Sequence, residues 1–219
     1  MFINTFMSFS NVGKTWNKTS FKEYLKTIRK PDWVKGICLH HTGIPSLSMR
    51  PNGLTSQHIV NIMDFYKSKK WKSGPHLFIS ESTIHGMTPL EIKGVHAVSF
   101  NSSYIGIEVL GNYDFEKPNS GRGELCWDTT AEVVHLLLEW LGLEANETTI
   151  KFHRDDPKTN KTCPGNLVKK DWFISLVKSK EMKSIPPPPQ KEISKPIVKN
   201  AEPFKPQNSF WTKFFSLFK

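Results

Sequence analysis

The sequence predicts an α/β fold: a mixed central β-sheet flanked by α-helices in a single domain, followed by a linker and a short tail. Apolar runs of strand length recur at 34–41, 76–87 and 103–113. Longer stretches with helical spacing separate and follow them, and the switches are marked by capping residues and glycine.

VKGICLHH (34–41) is a nearly continuous apolar run and reads as a buried strand. Side chains alternate along a strand, so His40 and His41 point to opposite faces and only one of them reaches a given site. SQHIVNIMDFYKSKKW (56–71) places Ile59, Ile62, Met63 and Tyr66 on one helical face, with Ser56 as the expected cap. HLFISESTIHGM (76–87) reads as a hairpin around a polar turn, and SYIGIEVLGNY (103–113) as a further strand. DTTAEVVHLLLEWLG (128–142) is the clearest helix, with an expected capping box at Thr129 and Glu132 and a stop at Gly142. GNLVKKDWFISLVKSK (165–180) predicts a final helix. No internal repeat is present.

A chain of 219 residues, 37% hydrophobic, suffices for one core and an appendage. We expect the domain to span 1–182, a proline- and lysine-rich linker 183–208, and an amphipathic tail 209–219. Residues 183–219 hold seven lysines and two glutamates, so half of the net charge of +10 belongs to them. In SFWTKFFSLFK, Phe210, Trp211, Phe214, Phe215, Leu217 and Phe218 fall within an arc of about 160° on a helical wheel. Lys213 and Lys219 lie opposite, a pattern suited to contact with an anionic membrane; docking onto the domain is the alternative. The aromatic side lacks the interleaved cations of a base-stacking platform, so nucleic acid is not an expected partner. Three cysteines at irregular spacing argue against a disulfide framework. The opening residues show no secretory-signal pattern and no run approaches membrane-span length, so the expectation is synthesis in the cytoplasm of a host cell and a monomeric protein.

FHRDDPKTNKTCPG (152–165) sets a histidine and a cysteine ten positions apart. Catalytic zinc takes three protein ligands, commonly His, Cys or carboxylate, and His40, His153 and Cys163 would supply such a set. No pair sits at a tight metal-binding spacing, so the spacing alone leaves a polar loop with a half-buried cysteine as an alternative.

ICLHHTGIPS, GPHLFIS, GVHAVSFNSSYIGIEVLGNY and FHRDDPKTNKTCPG together resemble the zinc-dependent N-acetylmuramoyl-L-alanine amidases, which share a fold with the peptidoglycan recognition proteins. The resemblance spans roughly residues 20–178 and is nearest to phage-encoded or prophage-encoded members. It implies zinc on His40, His153 and Cys163, Glu108 as proton carrier and Lys161 as the cation at the oxyanion. A carboxylate beside the metal takes a proton from the attacking water and returns it to the leaving amine, while a nearby cation stabilises the tetrahedral oxyanion. Glu108 on an exposed edge strand would carry no such role. His76 and His96 match cleft positions in relatives and are expected substrate contacts; His58, His85 and His135 are assigned to structure or surface. Short phage lysozyme-type members carry a tyrosine where this chain has Pro75, leaving the proton traffic to Glu108.

The implied activity is cleavage of the amide between N-acetylmuramic acid and the L-alanine of the stem peptide, acting in the cell wall or periplasm after release. A peptidoglycan-binding module without catalysis is disfavoured by Cys163, and a muropeptide-recycling amidase by the basic aromatic tail.

Overall fold

Eleven short elements account for the fold in the computed structural model, which describes residues 9–184. In chain order these are β1 (Thr15–Trp16), α1 (Lys18–Leu25), β2 (Gly36–His41), α2 (Ser56–Ser68), β3 (Leu77–Ile79), β4 (Ile84–Gly86), β5 (Tyr104–Val109), α3 (Gly121–Leu141) and β6 (Ile150–Phe152). A single 3-10 turn (His153–Asp155) and α4 (Lys170–Ser184) complete the set. The six strands form one mixed sheet in the order β1-β4-β3-β5-β2-β6. β3, β5, β2 and β6 run parallel, and β4 and β1 add an antiparallel edge.

The two faces of the sheet differ in chemistry, and this difference positions the site. On one face Ile37, Leu39, Ile105, Ile107, Val109, Ile150 and Phe152 are all fully buried. They join α3 residues such as Val134 and Leu137, Phe173 of α4 and Phe21 of α1 in the main core. Trp127 of α3 anchors this layer, meeting Tyr113 and Phe173 edge to face at 5.3 and 5.2 Å. Loss of such a ring typically costs about 3–5 kcal/mol. On the opposite face alternation presents Cys38, His40, Gly106 and Glu108. The parallel register sets Cys38 beside Gly106 and His40 beside Glu108.

Several boundaries depart from the sequence reading. α3 starts at Gly121, well before Thr129, so the expected capping box does not form. Thr129 instead donates its hydroxyl to the Glu81 carbonyl at 2.6 Å, and Thr130 to that of Cys126 at 2.8 Å. Buried hydroxyls satisfied in this way are compatible with a helix interior. The cap of α2 is Thr55 rather than Ser56, and His58 closes a capping box by accepting the Thr55 N–H. β5 lies between β3 and β2, so Glu108 is on a central strand and not on an edge. β1, α1 and β6 were not anticipated: the strands hold two and three residues, too few for a period, and α1 buries only Phe21 and Leu25. α4 runs to Ser184, and the rest of the expected linker over 183–208 and all of the segment 209–219 lie outside the described residues. No described helix is long and apolar enough to cross a membrane.

Candidate active site

A cleft of about 320 Å³ opens over the polar face of the sheet, lined by His40, Glu108, His153, Lys161 and Cys163 together with Tyr66, Trp71 and Pro75. β2 contributes His40, 1% exposed. The 3-10 turn that follows β6 contributes His153, and the loop before α4 contributes Cys163. Candidate ligand atoms of these three residues lie within 4.8 Å of one another. Nδ1 of His40 is 3.0 Å from Nδ1 of His153 and 3.8 Å from Sγ of Cys163. Those spacings lie near the edges of a zinc tetrahedron, about 3.4 Å for N···N and about 3.6 Å for N···S at ordinary bond lengths.

A chain of hydrogen bonds fixes which nitrogen of His40 is free. His96 Nε2 lies 3.0 Å from the Tyr104 carbonyl and must donate to it, which leaves His96 Nδ1 as an acceptor. His40 Nε2, 3.0 Å away, therefore donates to His96, and His40 Nδ1 carries the lone pair that faces His153 and Cys163. Two ring nitrogens at 3.0 Å need a proton or a cation between them. This is the arrangement of a metal-ligating histidine whose other N–H is held by an outer partner. Gly106 makes it sterically feasible: a Cβ there would come within 2.4 Å of Cγ of His96, whose ring lies over the sheet at this point.

The electrostatics agree with the geometry. Burial, then His96 and His153, hold His40 well below the usual histidine range, and burial, then Lys161, lowers His153, so both rings stay neutral as ligands require. Burial and next Glu108 raise the Cys163 thiol, against the opposing pull of the His41 N–H at 3.4 Å and of Lys161 and Arg154. A thiol so placed becomes a thiolate only with a cation beside it, and the donor set thus fits zinc. Glu108, its side chain 15% exposed and one carboxylate oxygen 3.9 Å from His40 Nδ1, is pushed up to about 8 by burial, with Lys161 pulling the other way. A carboxyl near neutrality can both take and return a proton at working pH.

The sequence profile of the N-acetylmuramoyl-L-alanine amidases matches residues 29–166, which include His40, Glu108, His153, Lys161 and Cys163. The chain belongs to the N-acetylmuramoyl-L-alanine amidase family. The amidase fold recurs in solved structures. One is an endolysin N-acetylmuramoyl-L-alanine amidase from Clostridium intestinale, 23% identical, with TM-score 0.52 over 67% of this chain and 84% of that one. Another is a mutant endolysin from Bacillus subtilis, 20% identical, with TM-score 0.50 over 66% of this chain and 86% of that one. No curated protein sequence matches the chain.

In this amidase the remaining histidines occupy distinct environments. His41 stands outside the group of His40, His153 and Cys163, as strand alternation requires, and accepts the Tyr113 N–H at Nδ1 (3.1 Å). His76 is fully buried and is not on the cleft wall: Nδ1 accepts the Gly106 N–H at 2.9 Å and Nε2 donates to the Ile92 carbonyl at 3.0 Å. Both nitrogens are used by the backbone, so the expected substrate contact at His76 does not fit its placement. His96 does reach the cleft wall, but its nitrogens are taken by His40 and Tyr104. His85 is likewise structural, bonded to Thr15 and to the Leu54 carbonyl.

Two residues that the sequence reading passed over hold the ligand loop. Arg154 donates its backbone N–H to the Cys163 carbonyl at 2.8 Å, and its guanidinium bonds the carbonyls of Gly165 (2.8 Å) and Val168 (2.6 Å). Asp114 accepts from the Thr162 hydroxyl and the Asn166 N–H, both at 2.8 Å. Arg154 adjoins His153, and a charged residue next to a candidate ligand was the available signal. Asp114, far away in sequence, offered none.

Proposed function

We propose that this peptidoglycan amidase works with zinc held by His40, His153 and Cys163, and that its biological role is that of a phage or prophage endolysin. The observation that carries the metal assignment is the pair of facing Nδ1 atoms with Cys163 beside them, at the foot of a cleft that also holds Glu108 and Lys161. When bound, zinc supplies Lewis-acid activation of a carbonyl and of water.

The protein's own groups do the rest. Glu108, in register with His40, takes a proton from the attacking water at a carboxylate oxygen and then delivers it to the amine of the leaving L-alanine. Lys161, exposed at the cleft, places a cation where the tetrahedral oxyanion develops. Tyr66, Trp71 and Pro75, which also line the cleft, offer apolar surface to the substrate. The endolysin role draws support from the endolysins that share the fold and from the basic, aromatic sequence of 209–219, which suits an anionic membrane. The enzyme is proposed to act as a monomer.

Mass spectrometry of digests of purified peptidoglycan tests the reading. Free stem peptides with an L-alanine amino terminus and intact glycan strands are expected, with activity lost on chelation and restored by zinc. New reducing sugar ends, or activity indifferent to chelation, would refute it.

A further inference from the structure

Two hydroxyls stand on the cleft wall, and only one of them is committed. Thr42 donates to the Pro45 carbonyl at 2.6 Å and accepts the Gly111 N–H at 3.0 Å. Tyr66, delivered by the last turn of α2, has its ring locked from two sides. It stacks on Trp71 with centroids 5.0 Å apart and planes 22° from parallel. On another side lies Gly74, where a Cβ would come within 2.8 Å of ring carbons Cδ2 and Cε2. Gly74 is thus the space into which this ring fits. Among the described residues the Tyr66 hydroxyl makes no hydrogen bond. A half-buried tyrosine ordinarily finds a partner for its hydroxyl. A rigidly held phenol left open toward a cleft is therefore available to whatever enters it.

The charge around it sets its form. Burial, and next the nearby Glu108, raise the phenol above its ordinary value, so it remains protonated and can only donate toward an anion. Lys161 is exposed on a long flexible stem and loses rotamer freedom when it engages; Tyr66 is already ordered by Trp71 and Gly74. Preorganised donors of this kind are the ones that contribute most at a developing negative charge.

We propose that Tyr66 is a catalytic residue of this amidase, donating its phenolic hydrogen to the scissile carbonyl oxygen as that oxygen becomes an oxyanion, beside the Lys161 cation. The proposal rests on reading the cleft as the amidase centre. Tyr66→Phe keeps the ring, its stack on Trp71 and its fit at Gly74, and removes only the hydroxyl. With a soluble muramoyl peptide as substrate, kcat should fall about 100- to 1,000-fold, as for loss of one oxyanion donor, while KM and zinc content stay within about twofold of the parent. A kcat within twofold of the parent overturns the proposal, and so does a loss confined to KM, which would make Tyr66 a ground-state contact. A parent protein that releases no L-alanine-terminated peptide overturns the amidase reading itself and the proposal with it; an active parent beside an equally active variant overturns the proposal alone.

Discussion

Replacing His96 by phenylalanine separates two roles that the same residue could play. The substitution keeps an aromatic ring over Gly106 but removes the acceptor that lies 3.0 Å from His40 Nε2. His40 then buries an N–H without its partner and loses the restraint that keeps Nδ1 free for a metal. Leaving such a donor unpaired costs about 1–3 kcal/mol. Loss of an outer partner of a metal-binding histidine lowers affinity about 10- to 100-fold, or roughly 1.4–2.7 kcal/mol, so the two routes agree. Cys38 Sγ, 3.4 Å from the same nitrogen, is a weak acceptor that can take over in part, which favours the lower half of that range. Zinc affinity measured by competition with a chromophoric chelator should fall by that factor in His96→Phe. His96→Gln, whose amide oxygen can accept, should recover part of the loss. If His96→Phe binds zinc within twofold of the parent while KM rises several-fold, the orienting role is wrong and His96 is the substrate contact that the sequence suggested.

Three further outcomes follow from the structure, and a fourth from the sequence of 209–219. Cys163→Ser should lose most bound zinc, measured by metal analysis after dialysis, because a hydroxyl is a poor replacement for a thiolate. Glu108→Gln and Lys161→Ala should retain the metal and lose turnover by about 100-fold or more; loss of zinc from either would reveal a structural role. Asp128 joins three helices, binding Lys18 of α1 at 2.8 Å and the buried Lys180 of α4; with Asp128 39% exposed, Asp128→Asn should cost about 2 kcal/mol, less than breaking a fully buried pair. Burial alone would raise the Asp128 carboxyl, but hydrogen bonds from Lys18 and Lys180 lower it overall. Its stabilisation is thus complete above the free value of about pH 4 and is lost as pH falls through the lower folded value, so urea midpoints of parent and variant should converge there. Deleting 209–219 should spare hydrolysis of soluble fragments and reduce binding to anionic vesicles; a lower melting temperature with vesicle binding intact would instead indicate packing on the domain.

Local pattern made the longer elements and the ligand candidates legible in the sequence. The strand run of 34–41 and the apolar helical run of 128–142 repeat their period often enough to be recognised; alternation left only one of His40 and His41 for the site, and the family resemblance selected His40. The chemistry of His, Cys, Glu and Lys within family-like stretches then pointed to a hydrolytic metal site before any distance was known. What depends on contacts distant in sequence was not visible. β1 and β6 are too short to signal themselves and exist because a neighbouring strand offers its backbone groups. The start of α3 was misplaced because Thr129 looks like a cap until Glu81, 48 residues earlier, is seen to accept its hydroxyl. Tertiary structure alone decided that Glu108 sits on a central strand in register with His40, that His76 spends both nitrogens on backbone, and that Gly106 makes room for His96. A residue type states which hydrogen bonds it can make; packing across the sheet decides which of them are already taken and which remain for metal and substrate.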